Sequence, residues 1–326
     1  MDFELKILFL SFFITIVLAF IIIPTLRRVK AGQIEREDGP QSHLKKQGTP
    51  TMGGIIMQLG LVLTCIFICF YMAHIGKGEM VKTIVPLLFI SFGFGLIGLI
   101  DDFMKLILKN TKGLKPAYKM IGLLVISILY VLYITQILKI GTDICIPFVK
   151  TYITLPIWLY IPFAIFVLLA TTNAINLTDG VDGLATSITT IIVTCLTVIA
   201  ILFGVTEVSI FGSVLIGACL GFLMFNLHPA KIFMGDTGSL MLGGVIASMA
   251  LYLKMPLLLL VIAFIPVLET LSVIIQVAYF KKTGNRIFKM APLHHHFELS
   301  GWNENKVVSI FSIITLVLCI IGLKII

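Results

Sequence analysis

The sequence predicts an all-α integral membrane protein of about ten transmembrane helices with both termini outside. Three observations carry that prediction. The 326-residue chain is 59% hydrophobic and only 12% charged, which is more apolar surface than a soluble core can hide. Its apolar runs lie near the roughly 20 residues that a helix needs to cross hydrocarbon. Its Lys and Arg are divided unevenly, 17 in the gaps after odd-numbered runs and 7 in the others, so the rich side is cytoplasmic by the positive-inside rule. One polytopic domain, 1–326, accounts for the whole chain. The net charge of +8 then belongs to the inner leaflet, where it attracts anionic lipid heads and anionic substrates, and is no sign of nucleic-acid binding.

The elements follow in order. The first run, 5–26, carries acids where a leader would be basic and lacks a small-residue cleavage pattern before Arg27, so it reads as a retained helix. A polar stretch, 27–52, ends in KKQGTPTMGG. Runs 53–73 and 84–100 give the second and third helices, with DDFMK (101–105) closing the third. Run 120–138 is the fourth, and the outside segment 139–155 carries no assigned role. Runs 156–172 and 184–203 flank NAINLTDGVDG (173–183), and runs 210–225 and 239–253 flank NLHPAKIFMGDTGS (226–239). The ninth run, 257–279, should bend or break near Pro266, because proline removes a helical hydrogen bond. Segment 280–306, with PLHHHFE, leads to the last run, 307–326. The six cysteines lie mostly inside apolar runs without metal-ligand spacing and read as structural thiols.

The polar clusters occupy alternate gaps, 27–52, 101–119, 173–183, 226–239 and 280–306, and therefore share one membrane face. A site built from five cytoplasmic loops is the simplest reading, since a transporter would place its ionisable groups near mid-membrane. Asp101 and Asp102 at a helix C-terminus oppose the macrodipole and call for a compensating role, with Lys105 in reach of either; the plain alternative is a salt-bridged helix end. The DDxxK form lacks the third acid of the prenyl-diphosphate signature DDxxD. Asn176, Asp179 and Asp182 are spaced three apart and would share one face if they begin the sixth helix, whose N-terminus suits phosphate. Two Asp-Gly turns would explain the same letters, and a calcium loop is disfavoured because the D-x-[DN]-x-[DN]-G ladder is missing. Asp236, flanked by Gly235 and Gly238, leaves room for a hydrated cation and a phosphate, and Phe233 could stack on a nucleobase or anchor the interface. Adjacent His294, His295 and His296 rarely converge on one metal, so hydrogen bonding to a diphosphate or sugar is the better reading than zinc. Glu269 stands deep in a span, one turn after Pro266, and is the residue that supports a transporter reading.

Together, KKQGTPTMGG, DDFMK, NLTDGVDG, FMGDTGS and PLHHHFE resemble the polyprenyl-phosphate N-acetylhexosamine-1-phosphate transferases, in order and over almost the whole chain. The PLHHHFE segment favours the branch that uses a muramoyl-pentapeptide over the N-acetylglucosamine-using branch, which is the alternative. The resemblance implies transfer of phospho-MurNAc-pentapeptide from UDP-MurNAc-pentapeptide to undecaprenyl phosphate, giving lipid I and UMP with Mg²⁺, at a bacterial cell membrane. It implies a metal at Asp236 and uridine contacts from Lys46, Asn226, Asp182 and Phe233, with Thr51 and Lys119 also on the substrate. Asp101, Asp102, Asp179, Asn176 and Lys105 would order the lipid phosphate and diphosphate, and His294, His295 and His296 the sugar-phosphate side. A homodimer is left open. A phosphate monoester is largely dianionic at neutral pH, so direct attack with Asp101 as an auxiliary base is favoured over a covalent enzyme intermediate. The rival from another class is a carrier of an amphiphilic anion coupled through Glu269, whose expected paired midplane charges and internal repeat are missing from the sequence.

Overall fold

The computed structural model describes residues 2–29, 48–106 and 113–326. Helices α1 (Asp2–Arg28), α2 (Gly54–His74), α3 (Glu79–Leu106) and α4 (Pro116–Leu132, continued by a π turn over Tyr133–Ile137) precede a short antiparallel hairpin, β1 (Asp143–Ile146) with β2 (Thr151–Thr154). Then come α5 (Ile157–Thr178), α6 (Leu184–Leu202), α7 (Thr206–Asn226), α8 (Gly235–Tyr252), the single turn α9 (Leu259–Ile262), α10 (Phe264–Thr283), the short α11 (Leu293–Glu298) and α12 (Glu304–Lys324). Among the described residues, nine helices are long and apolar enough to cross a membrane. The predicted span not among them is the eighth, α8, at 18 residues, and it is the axis of the bundle: every residue from Thr237 to Tyr252 is buried. Its small residues make that position accessible, because a Cβ on Gly243 would strike the Thr172 backbone and one on Gly244 the Phe94 ring.

Packing follows from residue size. In α1 the buried positions Ile7, Ser11, Thr15, Ala19 and Ile23 repeat every fourth residue, a stripe of mostly small side chains. That stripe meets α7 at Gly217 and Gly221, where a Cβ would collide with α1 at Ser11 and Thr15, and Ser11 Oγ donates to the Val214 carbonyl at 2.7 Å. The opposite face of α1 presents Phe9, Phe13 and Phe20, all more than half exposed, as expected where the surroundings are lipid and apolar surface costs nothing.

Glu4 lies beside Ser209 and Phe20 beside Phe225, so α1 and α7 run parallel and end on the same side. The end of α12 lies beside the hairpin on the side away from the polar clusters, where Phe148 N–H donates to the Ile325 carbonyl. Both termini therefore lie on the face opposite the polar clusters. There Asp143 takes Lys254 Nζ at 2.7 Å and Thr154 Oγ1 at 2.7 Å, which ties the hairpin to the bundle.

Several boundaries differ from expectation. The 139–155 segment holds two four-residue strands, the small departure from an all-α chain. Helix α3 runs past DDFMK to Leu106, so Asp101, Asp102 and Lys105 are helical. Helix α8 begins at Gly235, which places Asp236 in its first turn and not in a loop. The ninth span breaks at Ala263, three residues before Pro266. A proline cannot donate to, and its ring crowds, the carbonyl four residues back, which here is that of Ile262, the last residue of α9.

Candidate active site

The site forms where the buried α8 begins. Asp102, in the last turns of α3, sends Oδ2 to the amide and hydroxyl of Thr237 (2.9 and 2.6 Å) and Oδ1 to the Asp236 amide (3.1 Å). Those amides are first-turn donors with no partner inside their own helix, so a carboxylate from another helix caps α8. The chain passes this point with a positive φ of 73° at Gly235, where a Cβ would stand 2.7 Å from Asp102 Oδ2 and 3.0 Å from Thr51 Oγ1. Glycine is the residue that fits.

Asp236 is the meeting point of three further helices. Its Oδ2 takes Lys105 Nζ from α3 at 2.9 Å and Lys119 Nζ from α4 at 3.0 Å, and its Oδ1 takes Asn176 Nδ2 from α5 at 2.8 Å. Asn176 also donates to Ser239 Oγ at 2.8 Å. Asp101 grips the same two lysines, at 2.7 Å for Lys105 and 3.7 Å for Lys119, while its Oδ1 accepts the Leu114 amide at 2.6 Å. Two carboxylate oxygens thus face one ammonium. Hard anionic oxygens arranged around a cation are the donor set that Mg²⁺ prefers.

Asn176, Asp179 and Asp182 do not share a helix face as expected. Asn176 belongs to the last turn of α5, Asp179 follows the helix end, and Asp182 sits in the turn before α6, where Gly183 adopts a φ of 73°. The left-handed glycine changes chain direction, which breaks the spacing of three. Asp179 keeps a partly exposed surface, yet burial first, then the charges of Asp236, Asp102 and Asp182, raise its pKa to about 8. Asp182 turns away toward His228 Nδ1 at 3.0 Å and the Ala230 amide at 3.1 Å. His228 Nδ1 also lies 3.5 Å from Glu304 Oε2. These three residues, with ligand atoms within 4.8 Å of one another, are the group of metal-ligand type among the described residues, and they bracket three segments together. Nothing in the sequence links His228 with Glu304, which begins α12.

The 226–234 segment is stitched to 50–54: Phe233 N–H donates to the Pro50 carbonyl, and Gly53 and Gly54 donate to the carbonyls of Phe233 and Met234, all at 2.8 Å. Thr51 is buried beside the α8 cap. Asn226 is buried, its amide donating to the Ile232 carbonyl (3.0 Å) and accepting from Thr186 Oγ1 (2.8 Å), so it shapes the segment that carries Phe233. Phe233 is half-buried at the edge. Lys46 lies outside the described residues.

The three histidines point to three environments. His294 is buried, with its amide donating to Glu269 Oε1 at 3.2 Å and its Nδ1 3.3 Å from Glu269 Oε2. His295 Nδ1 pairs with Glu298 Oε2 at 2.8 Å, and His296 Nδ1 accepts the Lys289 amide at 3.1 Å. Their nitrogens do not converge on one point. Glu269 is fully buried against this helix.

A sequence model described as Glycosyl transferase family 4 matches residues 84–254, the stretch from α3 through α8. The chain is 48% identical over 315 residues to the phospho-N-acetylmuramoyl-pentapeptide-transferase of Acetivibrio thermocellus, covering 96% of this chain and 92% of that one. It is 50% identical over 318 residues to the protein of that name from Clostridium botulinum (98% and 95%), and 49% over 313 residues to that from Clostridium perfringens (96% and 95%). The chain belongs to the phospho-N-acetylmuramoyl-pentapeptide-transferase family. Membership spans every element that meets at the start of α8, and the multi-pass architecture agrees with it.

Proposed function

We propose that the protein transfers phospho-MurNAc-pentapeptide from its UDP carrier to undecaprenyl phosphate, forming lipid I and UMP in peptidoglycan synthesis. The observation that carries this reading is Asp236, at the start of the buried α8, held by Lys105, Lys119 and Asn176 from three other helices. Family membership says which reaction such a centre serves. The bacterial plasma membrane is the site of action, and the face bearing the cluster is cytoplasmic, in keeping with its Lys and Arg. A lipid phosphate at that leaflet and a soluble nucleotide can meet only there.

Phosphoryl chemistry of this kind rests on positioning and on charge held in place. Lys105 and Lys119 supply fixed cations beside the place where diphosphate charge shifts to the leaving UMP. Asp236, with Asp101 adjoining, would hold Mg²⁺, which when bound neutralises phosphate oxygens. That carboxylate is now shared by the two lysines, so metal and lysine compete for one Oδ2, and lysines freed from it turn to phosphate. Asn176 keeps Asp236 aimed through Oδ1. Asp102, through the cap, positions Asp236. The lipid phosphate oxygen attacks the sugar-linked phosphorus directly, forming the new P–O–P bond as the P–O bond to UMP breaks and UMP leaves, with Asp101 as auxiliary base. Lys46, Thr51, Asp182, Asn226 and Phe233 form the uridine side, and His294, His295 and His296 the sugar-phosphate side.

The test is to give the purified protein undecaprenyl phosphate, Mg²⁺ and either UDP-MurNAc-pentapeptide or UDP-GlcNAc, without any membrane gradient. UMP release and a lipid product with the mass of lipid I, from the first donor alone, is the expected result. A GlcNAc-diphospho-lipid would assign the protein to the sister branch, and no UMP from either donor would remove the transferase reading.

A further inference from the structure

Glu269 is a fully buried acid that the reaction described above does not use. It is 0% exposed, on α10, and both of its oxygens are turned to one residue: Oε1 accepts the His294 amide at 3.2 Å and Oε2 stands 3.3 Å from His294 Nδ1. A buried carboxylate persists only with a partner. His294 itself is 1% exposed, and a Cβ on Gly180 would land on its Nε2. The imidazole is therefore wedged between α10 and the Asp179–Gly183 turn, edge-on to the His295 ring at 4.2 Å. Neither ring nitrogen of His294 has a well-formed hydrogen bond, and Glu269 Oε2 has none. Unsatisfied buried polar atoms are rare enough to need a cause. The other ionisable groups beside the ring are His295 and its partner Glu298 on its own helix.

From this geometry we infer that Glu269 is a positioning residue for the transfer reaction, fixing His294 with its proton on Nδ1 so that the ring, its Nε2 packed beneath Gly180, holds the Asp179–Gly183 turn in place at the site. The inference rests on the transferase reading. One carboxylate fixes the tautomer and orientation of an imidazole through one ring nitrogen, and the ring so fixed is a rigid support for the turn that packs on it. Gly180 is required because any side chain there would occupy the place of Nε2. The break at Ala263 belongs to the same device, since it starts a fresh helix from which Glu269 reaches α11.

The experiment combines ¹⁵N-histidine NMR with kinetics on the full-length protein in detergent micelles. In the wild type the His294 signal, assigned by its loss in His294→Asn, should show a protonated Nδ1 and an unprotonated, acceptor-type Nε2 in the absence of substrate. Glu269→Gln should abolish that pattern and lower kcat roughly 10- to 100-fold, the range for losing a partner that orients a functional histidine, with the KM for UDP-MurNAc-pentapeptide changed less than threefold. Glu269→Asp should recover part of the loss and the tautomer together. A wild-type His294 protonated on Nε2 alone overturns the proposal whatever the variants do. So does a Glu269→Gln protein with wild-type kcat. If the wild type makes no lipid I, it is the transferase reading that fails, while the tautomer measurement still decides how Glu269 holds His294.

Discussion

Asp102 and Thr237 are joined twice, carboxylate to amide at 2.9 Å and carboxylate to hydroxyl at 2.6 Å, across 135 residues of sequence. The contact resolves an apparent conflict in α3. An acid near a helix C-terminus opposes its own macrodipole, but Asp102 lies at the positive end of α8, where a negative charge is stabilising. The same bond fixes the start of α8 and hence the direction of Asp236.

Removing that cap should cost stability as well as activity. Asp102→Ala leaves the α8 amides unsatisfied and should destabilise the protein by about 2 kcal/mol, whereas Thr237→Ala, which loses the hydroxyl alone, should cost about 1 kcal/mol. Thermal unfolding in detergent reads both. Equal stability of Asp102→Ala and wild type would mean that the cap is not structural.

Asp236→Asn keeps shape and the contact to Asn176 but removes the charge. Turnover should fall at least about a hundredfold, the scale of losing one strong electrostatic stabiliser, while unfolding temperature stays near that of the wild type. Near-normal turnover at ordinary Mg²⁺ would eliminate Asp236 as a metal ligand.

Lys119 competes with any metal for Asp236 Oδ2. Lys119→Met should therefore bind Mn²⁺ more tightly in the absence of substrate, by roughly fivefold if the partly buried pair is worth about 1 kcal/mol. Electron paramagnetic resonance of free Mn²⁺ measures this without turnover. Weaker binding in the variant would contradict competition at that oxygen.

Asp179 gives a pH signature. Its pKa is raised to about 8 by burial and by Asp236, Asp102 and Asp182, so the folded state holds a proton that the unfolded state releases near pH 4. By linkage, stability falls as pH rises from about 4 and levels off above about 8. Asp179→Asn cannot ionise, so its unfolding temperature relative to the wild type should climb over that window and then plateau. A difference that is flat from pH 5 to 9 would place the Asp179 pKa in the ordinary range.

Topology is open to direct labelling. A cysteine at exposed position 285, on the face of the cluster, should be protected from an impermeant thiol reagent applied to intact cells, and cysteines at exposed positions 77 and 149 should react. Labelling at 285 from outside would invert the membrane orientation.

What the sequence by itself determined was everything that depends on local composition. Apolar run length sets where helices can cross, alternation of polar gaps puts the acids, lysines and histidines on one face, and the order of five motifs marks the family. Pro266 announced the break in the ninth span, because a missing amide acts within one turn. Only the tertiary structure decided which polar groups meet. Asp102 and Thr237, Asn176 and Asp236, Asp182 with His228 and Glu304, and Glu269 with His294 are separated by 25 to 135 residues. No periodicity records such pairs. Glu269 shows the difference most clearly: in sequence it is a lone charge in an apolar span, the mark of a transport pathway, and in space it is the support of a buried histidine. A span fixes how deep a residue lies, but the rotation of one helix against its neighbours fixes what it faces, and that rotation is set by the small residues and glycines where helices touch.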